Sequence, residues 1–249
     1  MNDRTLCWKL SEDIKQATEL SKRSGKAHIV CESDPDGGNT YNIDKAAEDA
    51  VIEYLRGNDI RCNLISEEIG KVSFGNDFTM ILDPVDGSNN AISGLPFYCT
   101  SLAIVREEGP SYGLVRNLGW DEWFEGLSEY GSLVNGKPIV YSPQSRMISL
   151  YTRKGRYIDE LRTLTKKLRC FGSVALEMCY VANGSLMAFV DVRDKMRATD
   201  IAAGRIIIEC LGGLVTDING DPLDIEENNV NVVAAVDRDF HKKIINTLR

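Results

Sequence analysis

The sequence predicts an α+β fold of layered sheets and helices. Three observations carry that expectation. The chain has 249 residues, of which 43% are hydrophobic, enough to bury a sizeable core. Segments of helical and of strand-like apolar periodicity interleave along it. They do so without the regular strand–helix–strand rhythm of a doubly wound sheet.

The elements follow in order. Leu6, Leu10, Ile14, Ala17 and Leu20 recur at helical spacing, which predicts an amphipathic helix over 5–23. Residues 33–40, rich in Asp, Gly and Pro, predict a loop. A second helix is expected over 43–57, where Ile43, Ala47, Ala50, Val51 and Tyr54 share a face and Gly57 makes a stop. Short strands are expected at 62–65, ending in Ser66-Glu67-Glu68, and at 78–82, ending in Asp83. Residues 97–105 and 111–116 resemble an antiparallel pair joined by a turn at 107–110.

The second half uses the same vocabulary in another order. Strands are expected at 148–151, 187–190, 215–218 and 230–235. Helices are expected at 155–168, at 173–182 with Gly184 as its terminator, at 200–211 leading into Gly212-Gly213, and at 237–248. Residues 1–249 read as one unit, with 131–138 the best internal boundary between approximate subdomains 1–135 and 136–249.

Composition excludes several function classes. With 29 Lys and Arg against 37 Asp and Glu the net charge is −8, a poor basis for sequence-independent nucleic-acid binding. No run approaches the roughly 18 apolar residues of a membrane span, and residues 1–24 are charged and amphipathic rather than a signal peptide. A cytoplasmic protein is therefore expected. Seven cysteines, an odd number with no Cys-x-x-Cys, predict reduced, buried thiols. The two histidines, His28 and His241, have no soft ligand near them in sequence, which disfavours zinc. No Gly-x-Ser-x-Gly elbow supports a serine hydrolase. The chemistry must run on carboxylates.

Three segments supply them. In TMILDPVDGSNN (79–90) an apolar strand ends in Asp83, Pro84 fixes the path, and Asp86 follows three residues on. Both carboxylates and the Val85 carbonyl are hard oxygen donors suited to Mg²⁺ or Mn²⁺. Gly87 permits close approach, and Ser88 opens a short helix whose N–H groups suit a phosphate. The same stretch also reads as a plain turn. In LISEEIG (64–70), Glu67 and Glu68 follow a strand, and they also read as a solvated acidic turn. In MRATDIAAG (196–204), Asp200 stands at a helix entrance, where it also reads as a cap shared with Thr199.

Together these segments resemble the inositol monophosphatase superfamily: Glu-Glu after a strand, Asp-Pro-x-Asp-Gly-Ser/Thr, then Asp-x-Ala-Ala-Gly in the second half. Asn89-Asn90 followed by Gly94-Leu95-Pro96-Phe97, and FGSVALEMCYVANG at 171–184, add to the match. It spans essentially the whole chain. Asp191-Val192-Arg193 is similar to the archaeal inositol-monophosphatase/fructose-1,6-bisphosphatase branch. The resemblance implies a layered α/β/α/β/α sugar-phosphatase fold with mixed and antiparallel sheets, a phosphorylated polyol or sugar as substrate, two or three Mg²⁺ ions, and a homodimer.

Position by position, the resemblance implies that Glu67, Asp83 and the Val85 carbonyl hold a first metal that activates water. Asp83, Asp86 and Asp200 would hold a second that stabilises the leaving oxygen. The Ser88 hydroxyl, where the family usually has Thr, would orient the water, and the Gly87 and Ser88 N–H groups would meet the phosphate. Gly172, Ser173 and Ala175 would line the substrate side, with Asp191 and Arg193 beyond them. Charge balance agrees: four gathered carboxylates repel, and two divalent cations neutralise them while leaving room for an anionic phosphate.

The chain departs from the family pattern at three places. Tyr41 stands where Thr is usual three before Asp44, which remains a candidate third-metal ligand. Thr199 replaces a Trp. Arg193 occupies the place of a Glu that grips inositol in animal members, which favours a second phosphate or an acidic substrate. Arg153, Lys154 and Arg156 form a basic cluster that reads either as a solvated loop or as reaching a far phosphate. Trp120 and Trp123 read as core or interface aromatics, and Lys195 and Arg197 are expected to face solvent.

Overall fold

The computed structural model describes residues 1–33, 39–108, 111–128, 130–224 and 229–249. Helices α1 (Asp3–Arg23) and α2 (Asn42–Gly57) flank a small ribbon of β1 (Val30–Ser33) and β2 (Asn39–Tyr41). Next come β3 (Asn63–Ser66), β4 (Gly70–Ser73), β5 (Thr79–Asp86), the short α3 (Ser88–Ser93), β6 (Cys99–Val105), β7 (Tyr112–Asn117), β8 (Glu122–Leu127), β9 (Gly131–Val134) and β10 (Lys137–Pro138). These strands make one sheet in the order β10-β9-β8-β7-β6-β5-β3-β4, antiparallel except for the parallel pair β3 and β5.

The chain then builds a second sheet from β11 (Met147–Tyr151), β12 (Lys167–Arg169), β13 (Ala188–Met196), β14 (Leu214–Thr216) and β15 (Val230–Ala235), in the mixed order β12-β11-β13-β15-β14. Between these strands lie α4 (Gly155–Leu161), α5 (Val174–Ala182) and α6 (Ala198–Glu209), and α7 (Arg238–Leu248) closes the chain.

Strand alternation sorts the layers. On β5, Met80 and Leu82 join Leu10 and Ile14 of α1 and Ile43 and Val51 of α2 in one buried cluster. Ile81, on the other face, joins Leu176 of α5, Ala203 and Ile207 of α6, and Phe189 and Val232 of the second sheet. The far face of that sheet, Val190 and Val233, packs on Tyr157 and Leu161 of α4 and Ile244 and Leu248 of α7. The result is the expected five-layer α/β/α/β/α sandwich.

Several local expectations are corrected. The helix expected over 155–168 ends at Leu161, and Lys167–Arg169 forms β12, parallel to β11. Thr163 turns its hydroxyl onto the Glu160 carbonyl at 2.7 Å, and Thr165 bonds the Arg146 carbonyl. Such bonds compete with the helix ladder, and the following residues satisfy an open edge of β11 instead. The strand expected to stop at residue 82 continues through Asp86, so Asp-Pro-x-Asp lies on a strand and not in a turn.

Strands β1, β2, β4, β8, β9 and β10 had no counterpart in the sequence reading, and Ser33, Asn39 and Thr40 of the expected loop belong to β1 and β2. Residues 34–38 of the expected loop, and 109–110 of the expected turn, lie outside the described residues. All seven cysteines are unpaired, but Cys31 and Cys170 are exposed rather than buried.

Candidate active site

The site forms where β3 and β5 end. Their parallel register pairs Ser66 with Leu82, and the Glu67 N–H donates to the Leu82 carbonyl at 3.2 Å. Glu67 and Asp83 therefore leave the sheet side by side. On β6, Asp83 pairs with Ser101 and Asp86 with Cys99, so Pro84 and Val85 of β5 oppose the single residue Thr100 of its partner. This is a bulge, and Pro84 sits in it, where no ladder hydrogen bond is required of it. Without the extra residue, side chains three apart would face opposite sides of the sheet. With it, Asp83 and Asp86 face the same layer.

Asp200 reaches that layer from the first turn of α6, its Oδ2 accepting from the Arg197 N–H at 3.0 Å. Carboxylate oxygens of Glu67, Asp83 and Asp200 all lie within 4.8 Å of one another. An all-oxygen set of this spacing can hold a hard divalent cation. Asp86 stands beside them but is committed to α5: Oδ1 accepts from the Val174 N–H at 3.1 Å, and Oδ2 from Ala175 N–H at 2.7 Å and Ser173 Oγ at 2.8 Å. Asp44 is buried behind Ser88, whose Oγ lies 2.5 Å from Asp44 Oδ1 and 2.8 Å from the Val85 carbonyl. The Tyr41 N–H also donates to Asp44, at 2.9 Å.

The electrostatics of the cluster run one way. Burial, reinforced by Asp200 and Glu68, pushes Glu67 up to about 8. Burial and then Asp200 push Asp86 up to about 7. Burial and the adjoining Glu67 and Asp86 hold Asp83 well above the usual carboxylate range, and burial raises Asp200. Burial likewise lifts Asp44 to about 6 and Glu68 to about 7. A cluster that resists ionisation in this way is short of positive charge.

A cleft of about 690 Å³ opens over the cluster, with Glu67, Asp83, Val85, Asp86, Gly87, Ser88 and Asp200 on its floor. Tyr151, Arg153, Gly172, Val174, Arg193, Lys195 and Arg197 form the opposite wall. Arg193 is fixed there by a forked pair with buried Asp191, at 2.9 Å and 2.5 Å, and by the Tyr151 ring 4.4 Å from its guanidinium. Asp191 thus serves Arg193 from behind, and Ser173 and Ala175 are buried behind Asp86.

Gly87 has φ +93°, and a Cβ on it would stand 3.0 Å from the Gly172 carbonyl, so the two sides of the cleft meet through glycine. Lys195 is exposed, as expected, at the border of the cleft, whereas Arg197, also expected in solvent, is partly buried in its lining. The strand–helix junction turns Arg197 inward, onto Glu67 at 3.0 Å.

Glu177 was not singled out from the sequence. It is fully buried in α5, and its Oε1 accepts from Tyr151 OH at 2.5 Å and from the N–H groups of Phe171 and Gly172 at 3.1 Å and 3.0 Å. It thereby fixes the Gly172 turn. A lone acid in the apolar run VALEMCYVA is the signal that marks it.

Fold and site together define a phosphoric monoester hydrolase. The inositol monophosphatase family profile matches residues 2–249. The chain belongs to that family. It is 36% identical over 232 residues, 91% of each chain, to a fructose-1,6-bisphosphatase/inositol-1-monophosphatase of Methanocaldococcus jannaschii. It is 37% identical over 221 residues to a fructose-1,6-bisphosphatase of Pyrococcus furiosus, covering 86% of this chain and 85% of that one. The crystal structure of an inositol monophosphatase–fructose 1,6-bisphosphatase superposes with a TM-score of 0.88 at 32% identity, covering 99% of this chain and 100% of that one.

Proposed function

We propose that the chain is a Mg²⁺-dependent phosphomonoesterase, with Mn²⁺ able to substitute, that hydrolyses inositol monophosphate, fructose 1,6-bisphosphate or both. The observation that carries this reading is the meeting of Glu67, Asp83 and Asp200 at the floor of a cleft walled by arginines. Glu67, Asp83 and the Val85 carbonyl would hold one ion, Asp83, Asp86 and Asp200 a second, and Asp44 a third. Bound there, the ions activate the attacking water and stabilise the leaving oxygen, so that no covalent intermediate is needed.

The chain's own groups complete the arrangement. The Ser88 hydroxyl, held between Asp44 and the Val85 carbonyl, orients the water. The N–H groups of Gly87 and Ser88 receive phosphate oxygens, and Gly172 borders the space for the alcohol. Arg193, with Arg153 and Lys195 on the same wall, receives the far anionic group of a bisphosphate.

A homodimer is supported by the apolar surface of Leu95, Trp120 and Phe171, which are 54%, 46% and 38% exposed. These lie together because Phe97 contacts Phe171 and Gly119 abuts Pro96. The seven unpaired thiols support a reducing, cytoplasmic setting.

Phosphate release from inositol 1-phosphate, fructose 1,6-bisphosphate and 3′-phosphoadenosine 5′-phosphate, with Mg²⁺ and with EDTA, tests the reading. Wild type should be active on one of the first two only with Mg²⁺, and Asp83→Asn should lose about 10³-fold or more. Preference for the nucleotide would reassign the substrate. Mg²⁺-dependent binding without turnover would make the chain a phosphosugar-binding module, and activity surviving EDTA would overturn the metal mechanism.

A further inference from the structure

Arg197 bridges two members of the acidic cluster. Its Nη1 donates to Glu67 Oε1 at 3.0 Å, and its backbone N–H donates to Asp200 Oδ2 at 3.0 Å. The side chain of Glu67 is 29% exposed and that of Arg197 is 40% exposed, so the guanidinium has room to leave along the cleft wall without disturbing the backbone bond to Asp200. Its charge sits on the carboxylate that a divalent cation between Glu67, Asp83 and Asp200 would take. Two cations on one carboxylate in a partly desolvated site repel strongly. Removing this guanidinium would leave the partly buried Glu67 carboxylate without the charge that compensates it.

We propose that Arg197 is an internal counter-cation. It holds Glu67 in place while no divalent ion is bound, and it must be displaced before the ion can engage. Its presence lowers the affinity of the site for the ion and stabilises the ion-free protein. This rests on reading the cluster as a cation site.

The experiment is calorimetric titration of the whole chain with Mg²⁺ and with Mn²⁺, without substrate, using wild type, Arg197→Gln, Arg197→Met and Arg197→Lys. Thermal melts in EDTA accompany it, and circular dichroism shows which variants fold. Either uncharged variant should bind the ion about tenfold more tightly than wild type, melt at lower temperature in EDTA, and gain more from added Mg²⁺. Arg197→Lys, which keeps the charge, should stay within about threefold of wild type in affinity. A Kd in the uncharged variants equal to or weaker than that of wild type overturns the role of Arg197. Failure of wild type to bind either ion overturns the cation-site reading instead.

Discussion

Arg193 reaches the cleft already oriented. A guanidinium free in solution must be ordered when it grips an anion, but here Asp191 and the Tyr151 ring fix it in advance, so more of the hydrogen-bond energy is realised on binding. A charge-assisted contact of this kind contributes about 1.5–3 kcal/mol, or about 10- to 150-fold in rate. Arg193→Ala is therefore expected to lower kcat/KM for fructose 1,6-bisphosphate by that factor and for inositol 1-phosphate by less than about threefold. Equal losses on both substrates would remove Arg193 from substrate discrimination. At this scale Glu67, Asp83 and Asp200 were legible as candidate ligands, because each stands at or beside an apolar strand or a helix entrance, and Arg193 was legible as a specificity residue. The direction of Arg197, and the bracing of Arg193 by Asp191, depend on how the end of β13 meets α6, which no local pattern encodes.

The bulge in β5 is the element on which the site turns. It brings Asp83 and Asp86 to one face, and Asp86 then closes the N-terminus of α5, where unpaired N–H groups and the helix dipole favour a negative charge. Asp86 thus joins the large sheet to the helix layer as well as lining the cleft. Asp86→Asn keeps the shape but turns one acceptor into an amine that faces N–H or hydroxyl donors. The expected outcome is a loss of about 1–2 kcal/mol in denaturant unfolding in EDTA, together with weaker Mg²⁺ binding. A variant that loses ion binding at undiminished stability would show that the bonds to α5 carry no weight. The sequence showed the first half of β5, but a bulge is visible only against its partner strand, so the Asp-Pro-x-Asp path looked like a turn. The hairpin between β9 and β10 was legible in principle: Asn135-Gly136 takes two consecutive positive φ values, 49° and 74°, the signature of a tight hairpin turn. Strand β12 was not, because Lys167, Leu168 and Arg169 become a strand only by pairing with β11.

Over the whole molecule, the buried acids make stability depend on pH and on divalent ions together. In the ion-free protein Glu67, Asp86 and Asp44 hold their protons up to about 8, 7 and 6, against ordinary values of 4.5, 3.8 and 3.8. Between those limits the folded chain carries protons that the unfolded chain has lost, so stability falls as pH rises. Their contribution is most favourable near pH 4 and is fully lost above about pH 8. His241 opposes this, since burial lowers its pKa below 6.5 and its neutral ring adds stability as pH rises towards that value, but it is one group against several. A divalent cation binds the ionised cluster, displaces those protons and reverses the trend. Melting temperature in EDTA should therefore drop from about pH 5.5 to about pH 8, and the gain on adding Mg²⁺ should be larger at the higher pH. Asp83→Asn, with one carboxylate fewer in the cluster, should flatten the EDTA profile and abolish the Mg²⁺ gain. An EDTA melting temperature that rises over this interval would mean that the acids ionise freely in the folded chain, and the charge deficit that draws a cation into the cleft would not exist.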